Sequence, residues 1–326
     1  MGIFLELNDP VITAKSDHAF TLSMLQDTNA QNLFLLSSLQ LVGNAKSQSL
    51  DFFQPHNTNK LTTPFFNIQG NQFSSTSNID KVIIDALKEN CYVRLYLDQY
   101  YLQYQNPYFR SYKTNDTLIY GYDEDTKLFH YLAVNKNGLY EKKTISPFNL
   151  RSALTFANPE DPERKKIFFY QLTKFPTEHT DTIQKQIIAY LIDYMTAYDS
   201  SKRFETVRDD SLVFGVDIYQ LLLSHLNSVH QVEKELEITN FQVLSEHKHV
   251  LLKMVRLLAT LTNVPSDVLK MLEQLHPKAA YFKNSVLRYM WTKEERAFLK
   301  LNNKLLEIKE MEKTALVGLL DSVRMS

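Results

Sequence analysis

The chain has 326 residues, which at roughly 150 per domain sets an expectation of two domains. Its 36 Lys+Arg and 37 Asp+Glu give a formal net charge of −1, so no one-signed field exists to draw in nucleic acid or anionic lipid, and neither partner is expected. Glycine is scarce, and no two of the seven stand in a G-x-G spacing, which removes the dinucleotide fingerprint, the Walker A loop and the G-x-S-x-G elbow together. The sole cysteine, Cys91, excludes intrachain disulfides, Cys-type zinc sites and C-x-x-C redox chemistry. The opening MGIFLELNDP lacks a basic stretch followed by a long apolar run, and the uncharged run 28–45 is broken by Asn, Gln and Ser. A cytoplasmic protein without a signal peptide or membrane span is therefore expected.

Residues 18–41 carry helical apolar spacing through Leu22, Leu25, Leu33, Leu36 and Leu39. Residues 43–77, rich in Ser, Asn, Gln and Thr, read as a long loop around the apolar insert Phe65–Ile68. Asn78 is placed to cap a helix running to Lys88, with Ile79, Val82, Ile83, Ala86 and Leu87 on one side. The period then changes to two: Val93, Leu95 and Leu97 alternate with Arg94, Tyr96 and Asp98, a strand pattern. A hairpin follows, with Leu118–Tyr120 and Leu128–Val134 as arms around a polar turn. A third strand is predicted at 139–144, a helix start at Ser146-Pro147, and a last strand at 167–172. From about residue 179 the spacing is helical to the end. The final helix, 292–324, is predicted to open on a Thr292-x-x-Glu295 capping box and to carry the stripe Phe298, Leu301, Leu305, Ile308 and Met311. That stripe docks on its own domain or forms a homodimer seam through 292–326.

Few residues are arranged for chemistry. A reactive thiol needs a lowered pKa, yet Cys91 starts a strand next to Glu89 and reads as a structural thiol. Asp17, just before His18, reads as a helix cap. His247 shares the apolar face of Leu244 and Leu251, and His247 with His249 at i and i+2 point apart, as His225 and His230 do at i and i+5. No metal site and no cofactor are expected. Seven tyrosines crowd residues 92–112; of these Tyr96, Tyr100 and Tyr101, together with Tyr122 and Asp123, are candidates to line a ligand groove.

The stretch Asn90–Leu102, followed by Thr117-Leu118-Ile119-Tyr120-Gly121-Tyr122-Asp123, resembles the butirosin biosynthesis protein H-like family, papain-related proteins associated with antibiotic and nonribosomal-peptide gene clusters. The likeness continues in 128–134, Gly138-Leu139-Tyr140, 145–153, Phe214–Tyr219 and 241–248, and Tyr-Gly-Tyr-Asp is its sharpest piece. The resemblance implies an α+β architecture: a papain-like domain with a small antiparallel sheet at 1–175, then an all-helical domain at 176–326. It also implies a Cys-His-Asp/Asn acyl-transfer site. By position, the nucleophile falls at Asp17 or His18, the histidine near Asn115 and the third residue near Asn135. No thiol and no imidazole stand where the first two are needed, and asparagine cannot serve as a general base at neutral pH. The expectation is a non-catalytic relative that binds a peptide or an acyl- or peptidyl-carrier-linked ligand, or a protein partner, in natural-product biosynthesis. The alternatives are an acyltransferase or hydrolase with a relocated site at Cys91 or His18, and a helical assembly protein.

Overall fold

The structure is a computed structural model, described over residues 2–53, 64–72, 78–102, 114–134, 140–157, 166–174, 180–202, 209–232 and 237–325. It is a mixed α/β protein, with antiparallel sheets in the N-terminal half and helices in the C-terminal half. The chain divides into two compact units, Met1–Ala30 with Thr62–Pro176, and Gln31–Leu61 with Thr177–Ser326.

In the first unit, β4 (Phe66–Gln72), β9 (Lys166–Leu172), β5 (Cys91–Asp98), β6 (Thr114–Asp123), β7 (Leu128–Val134) and β8 (Tyr140–Ile145) lie side by side in that order, and β1 (Ile3–Phe4) pairs with β6. Every ladder is antiparallel. Alternation gives each strand two faces. Val93, Leu95 and Leu97 of β5 and Phe129, Tyr131 and Ala133 of β7 point to one face, where α3 (Ile79–Lys88) and α4 (Pro147–Thr155) cover them. Helix α3 contributes Ile79, Ile83 and Leu87, four residues apart on one stripe, and each such side chain contributes about 1.5–3 kcal/mol on full burial. Helix α1 (Ser16–Met24) lies against the other face, where Ser23 Oγ and Tyr140 OH are 2.5 Å apart.

Local signals explain several ends. Ser146 Oγ accepts the Asn149 N–H at 3.2 Å with Pro147 beside it, the cap and proline start read from the sequence. The β6–β7 turn is closed by Asp123, whose Oδ1 accepts the N–H groups of Asp125 and Thr126. Asn78, by contrast, precedes α3 without a side-chain cap bond; only its carbonyl is used, by the Val82 N–H.

The 43–77 loop reading is corrected. Its described parts contain β2 (Leu41–Asn44), β3 (Ser49–Phe52) and β4. β2 and β3 bury alternate residues, Leu41, Leu50 and Phe52 among them, but each is four residues long, too short for its period to stand out, and ladder partners hold them in place. Strands β10 (Leu212–Phe214), β2 and β3 form a separate antiparallel sheet in that order, within the second unit. The C-terminal half is accordingly not helical throughout, since β10 interrupts it.

The rest of the second unit is α2 (Thr28–Ser37, which begins in the first unit), α5 (Thr180–Met195), α6 (Ile218–Val232), α7 (Ile238–Leu261), α8 (Ser266–Thr292) and α9 (Glu295–Met325). Helices α7, α8 and α9 pack in sequence, and α5 and α6 close on α9. The capping box is corrected: Thr292 ends α8, Lys293 turns the chain at φ +53°, and Glu294 supplies the carbonyl that starts α9. Of the α9 stripe, Phe298, Leu301, Leu305 and Ile308 are buried inside the unit and Met311 is half-buried. Gly215 has φ +55°, and a Cβ there would lie 2.1 Å from the Tyr194 carbonyl oxygen, so no other residue fits.

Candidate functional site

The first turn of α1 faces the start of β6 across β5. Lys15 is the N-cap and makes no side-chain cap bond, so Asp17 is not the cap the sequence predicts; it sits inside the helix. There the helix N-terminus favours its negative charge, and its carboxylate is ion-paired to the Arg94 guanidinium. Arg94 belongs to the α1 face of β5 by alternation with Val93 and Leu95. It reaches Asp116 twice, Nε to Oδ1 at 2.9 Å and Nη2 to Oδ2 at 2.5 Å, and Tyr170 OH through Nη1 at 3.5 Å. Ser16 Oγ donates to the same Asp116 Oδ2 at 2.7 Å, and the Phe20 ring lies 5.7 Å from the guanidinium carbon.

The electrostatics fix the charge states. Burial alone would pull Arg94 down, but Asp116 and Asp17 outweigh it and hold the guanidinium charged well above its usual range. Burial pushes Tyr170 and Tyr96 up, Arg94 opposing, so both phenols remain protonated near neutral pH. The cluster is thus a charged arginine held between two carboxylates, with protonated phenols beside it. The arginine grips Asp116 bidentately, and among the described residues the Ser16 hydroxyl is bonded to that carboxylate and not to an imidazole.

The sequence-predicted positions are split by the pleat. Asp17 is in the cluster. His18 is adjacent but fully buried. Asn115 pairs with Leu97, which places it on the α3/α4 side of the sheet, whereas its neighbour Asp116 pairs with Tyr96 and faces α1. Asn135 lies outside the described residues. The groove-lining candidates do not converge either. Tyr96 faces α1; Tyr101 stacks on Phe156 at 5.5 Å with the exposed Tyr100 against its edge; Tyr122 packs on Phe129 at 4.8 Å; Asp123 serves its turn. Arg94, Asp116 and Tyr170 are site residues that the motif positions do not point to. The available signal was an arginine amid the apolar alternation of β5, a position that requires an acidic partner.

Cys91 lies on the opposite face from α1, in a groove of about 240 Å³ lined also by Asn67, Gln69, Asn71, Asp85, Ala86, Glu89, Phe169 and Gln171. Among the described residues that lining contains no histidine. The Cys91 thiol donates to the Glu89 carbonyl at 3.7 Å, and burial together with the Glu89 charge pushes its pKa up. A thiolate is disfavoured there.

Among the described residues no three His, Cys, Asp or Glu side chains are placed to hold a metal ion, and no helix is long and apolar enough to cross a membrane. No protein-family model matches the sequence, and no curated protein matches it significantly.

Proposed function

We propose that this chain is a non-catalytic, papain-like relative of the butirosin biosynthesis protein H-like family. In this reading it binds a peptide or an acyl- or peptidyl-carrier-linked ligand in natural-product biosynthesis. The observation that favours it is the Asp17–Arg94–Asp116 cluster: the first turn of α1, where the family carries a thiolate, holds an ion pair saturated by its own neighbours. Cys91, with its raised pKa and, among the described residues, no histidine in its groove, supports the same reading over a relocated thiol site.

The test is a panel of aminoacyl-, peptidyl- and fatty acyl-carrier conjugates added to the full chain. The reading expects at least one conjugate to raise the melting temperature while its thioester stays intact. Thioester loss that disappears in Cys91→Ser would overturn it, and so would an unmoved melting temperature across the panel.

A second reading keeps self-association through α9, because Leu299, Leu306 and Val317 are exposed and their spacings of seven and eleven residues place them along one line of the helix. Light scattering on Leu299→Glu/Leu306→Glu tests it; equal masses for parent and variant reject it.

A further inference from the structure

We infer that the edge strand β4 is a docking strand for an extended peptide carrying positive charge. Among the described residues β4 has a sheet partner on one side only, β9. Its ladder runs without a shift from Phe66↔Leu172 to Gln72↔Lys166. Natural edge strands are usually blunted by a charge, a proline or a bulge, and FNIQGNQ contains none of them. Asn67, Gln69, Gly70, Asn71 and Gln72 are all exposed, so both the backbone and the amide side chains of the strand are within reach of a partner. A strand added at such an edge gains main-chain hydrogen bonds whatever its sequence and takes its selectivity from the side chains that alternate onto one face.

The face beside this edge specifies the charge. Register sets Asn67, Gln171 and Cys91 in one cross-strand row and Gln69, Phe169 and Val93 in the next, and α3 forms the far wall of the groove with Asp85, Ala86 and Glu89. Among the described residues, Asp85 and Glu89 are the only carboxylates in that lining, which holds no lysine or arginine. Neither carboxylate is ion-paired among the described residues. A lysine or arginine of the added strand has a side chain long enough to lean across the Asn67, Gln69 and Asn71 amides toward this acidic wall, and salt should weaken the attraction. An acidic strand would meet the same wall as repulsion. The inference rests on the peptide-binding part of the proposed function and names its ligand class. It uses the face of the sheet opposite the α1 cluster, so it can fail while the loss of catalysis stands.

The experiment uses the full chain and two labelled seven-residue peptides, alternating Thr-Lys and alternating Thr-Glu. Fluorescence anisotropy reads affinity, and hydrogen exchange reads protection of residues 66–72. The Thr-Lys peptide is expected to bind at least about tenfold more tightly than Thr-Glu, to slow exchange in 66–72, and to lose that preference in Asp85→Asn/Glu89→Gln. Thermal melting of the double variant, expected to match the parent, shows that the loss is not unfolding. Equal binding of the two peptides, protection elsewhere, no binding, or a preference that survives the double variant would each overturn the inference. Protection of 66–72 that grows with protein concentration and needs no peptide would assign the edge to a second copy of the chain and overturn it as well. The carrier-conjugate panel is scored separately by thioester integrity, so a catalytic protein and an idle groove give different results.

Discussion

Lys248 Nζ lies 2.5 Å from Glu312 Oε1, and both side chains are out of contact with solvent. The pair ties α7 to α9 in the centre of the second unit, and its remaining bonds are made locally. Tyr219 OH donates to Glu312 Oε2 at 2.7 Å, Tyr194 OH reaches the same oxygen at 3.1 Å, and Lys248 also donates to Tyr194 OH and to His247 Nδ1, each at 3.1 Å. Removing one partner strands the other charge, so Glu312→Gln or Lys248→Met alone should cost about 3–5 kcal/mol. The double variant Lys248→Met/Glu312→Leu should recover most of that loss, because the desolvation of both charges disappears with them. Urea unfolding of the three variants decides; a double variant as weak as the singles would show that shape, not charge, is at issue.

His247 gives the pH dependence. Its Nδ1 accepts from Lys248, so its Nε2 carries the proton and donates to the Leu39 carbonyl at 2.9 Å. Burial and the Lys248 charge hold its pKa well below 6.5. The folded state therefore binds no proton there where the unfolded chain does, and the stability present above pH 6.5 falls as pH drops below it. The slope should approach about 1.4 kcal/mol per pH unit from this residue. His249 and His276, stacked 4.6 Å apart and also lowered by burial, add to it with the same sign. Unfolding measured between pH 7.5 and 5 should show a shallower slope in His247→Gln.

At the α1 cluster the two carboxylates are unequal. Asp116 is 13% exposed and doubly bonded, whereas Asp17 is 33% exposed. Arg94→Met should cost about 3 kcal/mol by leaving Asp116 unpaired. Asp17→Asn should cost about 1 kcal/mol or less, since water replaces much of the pairing. Denaturation midpoints for the two variants check the order.

Cys91 should alkylate slowly. With its pKa raised by burial and Glu89, iodoacetamide modification at pH 7 should fall below that of a free thiol and rise steeply with pH. Faster labelling than glutathione at pH 7 would contradict the environment described for this groove.

Gly215→Ala should destabilise by about 2 kcal/mol or more, since φ +55° and contact with the Tyr194 carbonyl act together. A melting temperature within a degree of the parent would show that the turn can relax.

Period and caps made much of this architecture readable. The alternation of Val93, Leu95 and Leu97 and the Ser146-Pro147 start are local signals, and each appears in the structure where local chemistry places it. Strands β2, β3 and β4 were not legible because their stability comes from partners remote in sequence: β2 from Leu212–Phe214 and β4 from Lys166–Leu172. The site was legible by half. Position along the chain led to Asp17 and to Asn115, but only register decides that Asp116, and not Asn115, faces α1. The arginine that unites the two carboxylates stood in plain view within β5, with nothing local to name its partners.

The pairing of Val42 with Phe214 has a kinetic consequence. A strand near the start of translation cannot complete its ladder until a segment made much later has emerged, and such long closures slow folding. A fragment beginning at Thr177 would lack β2 and β3 and leave β10 without its neighbour, so truncation there should yield an aggregating product, whereas a chain rejoining 31–61 to 177–326 by a flexible tether retains every strand of that sheet.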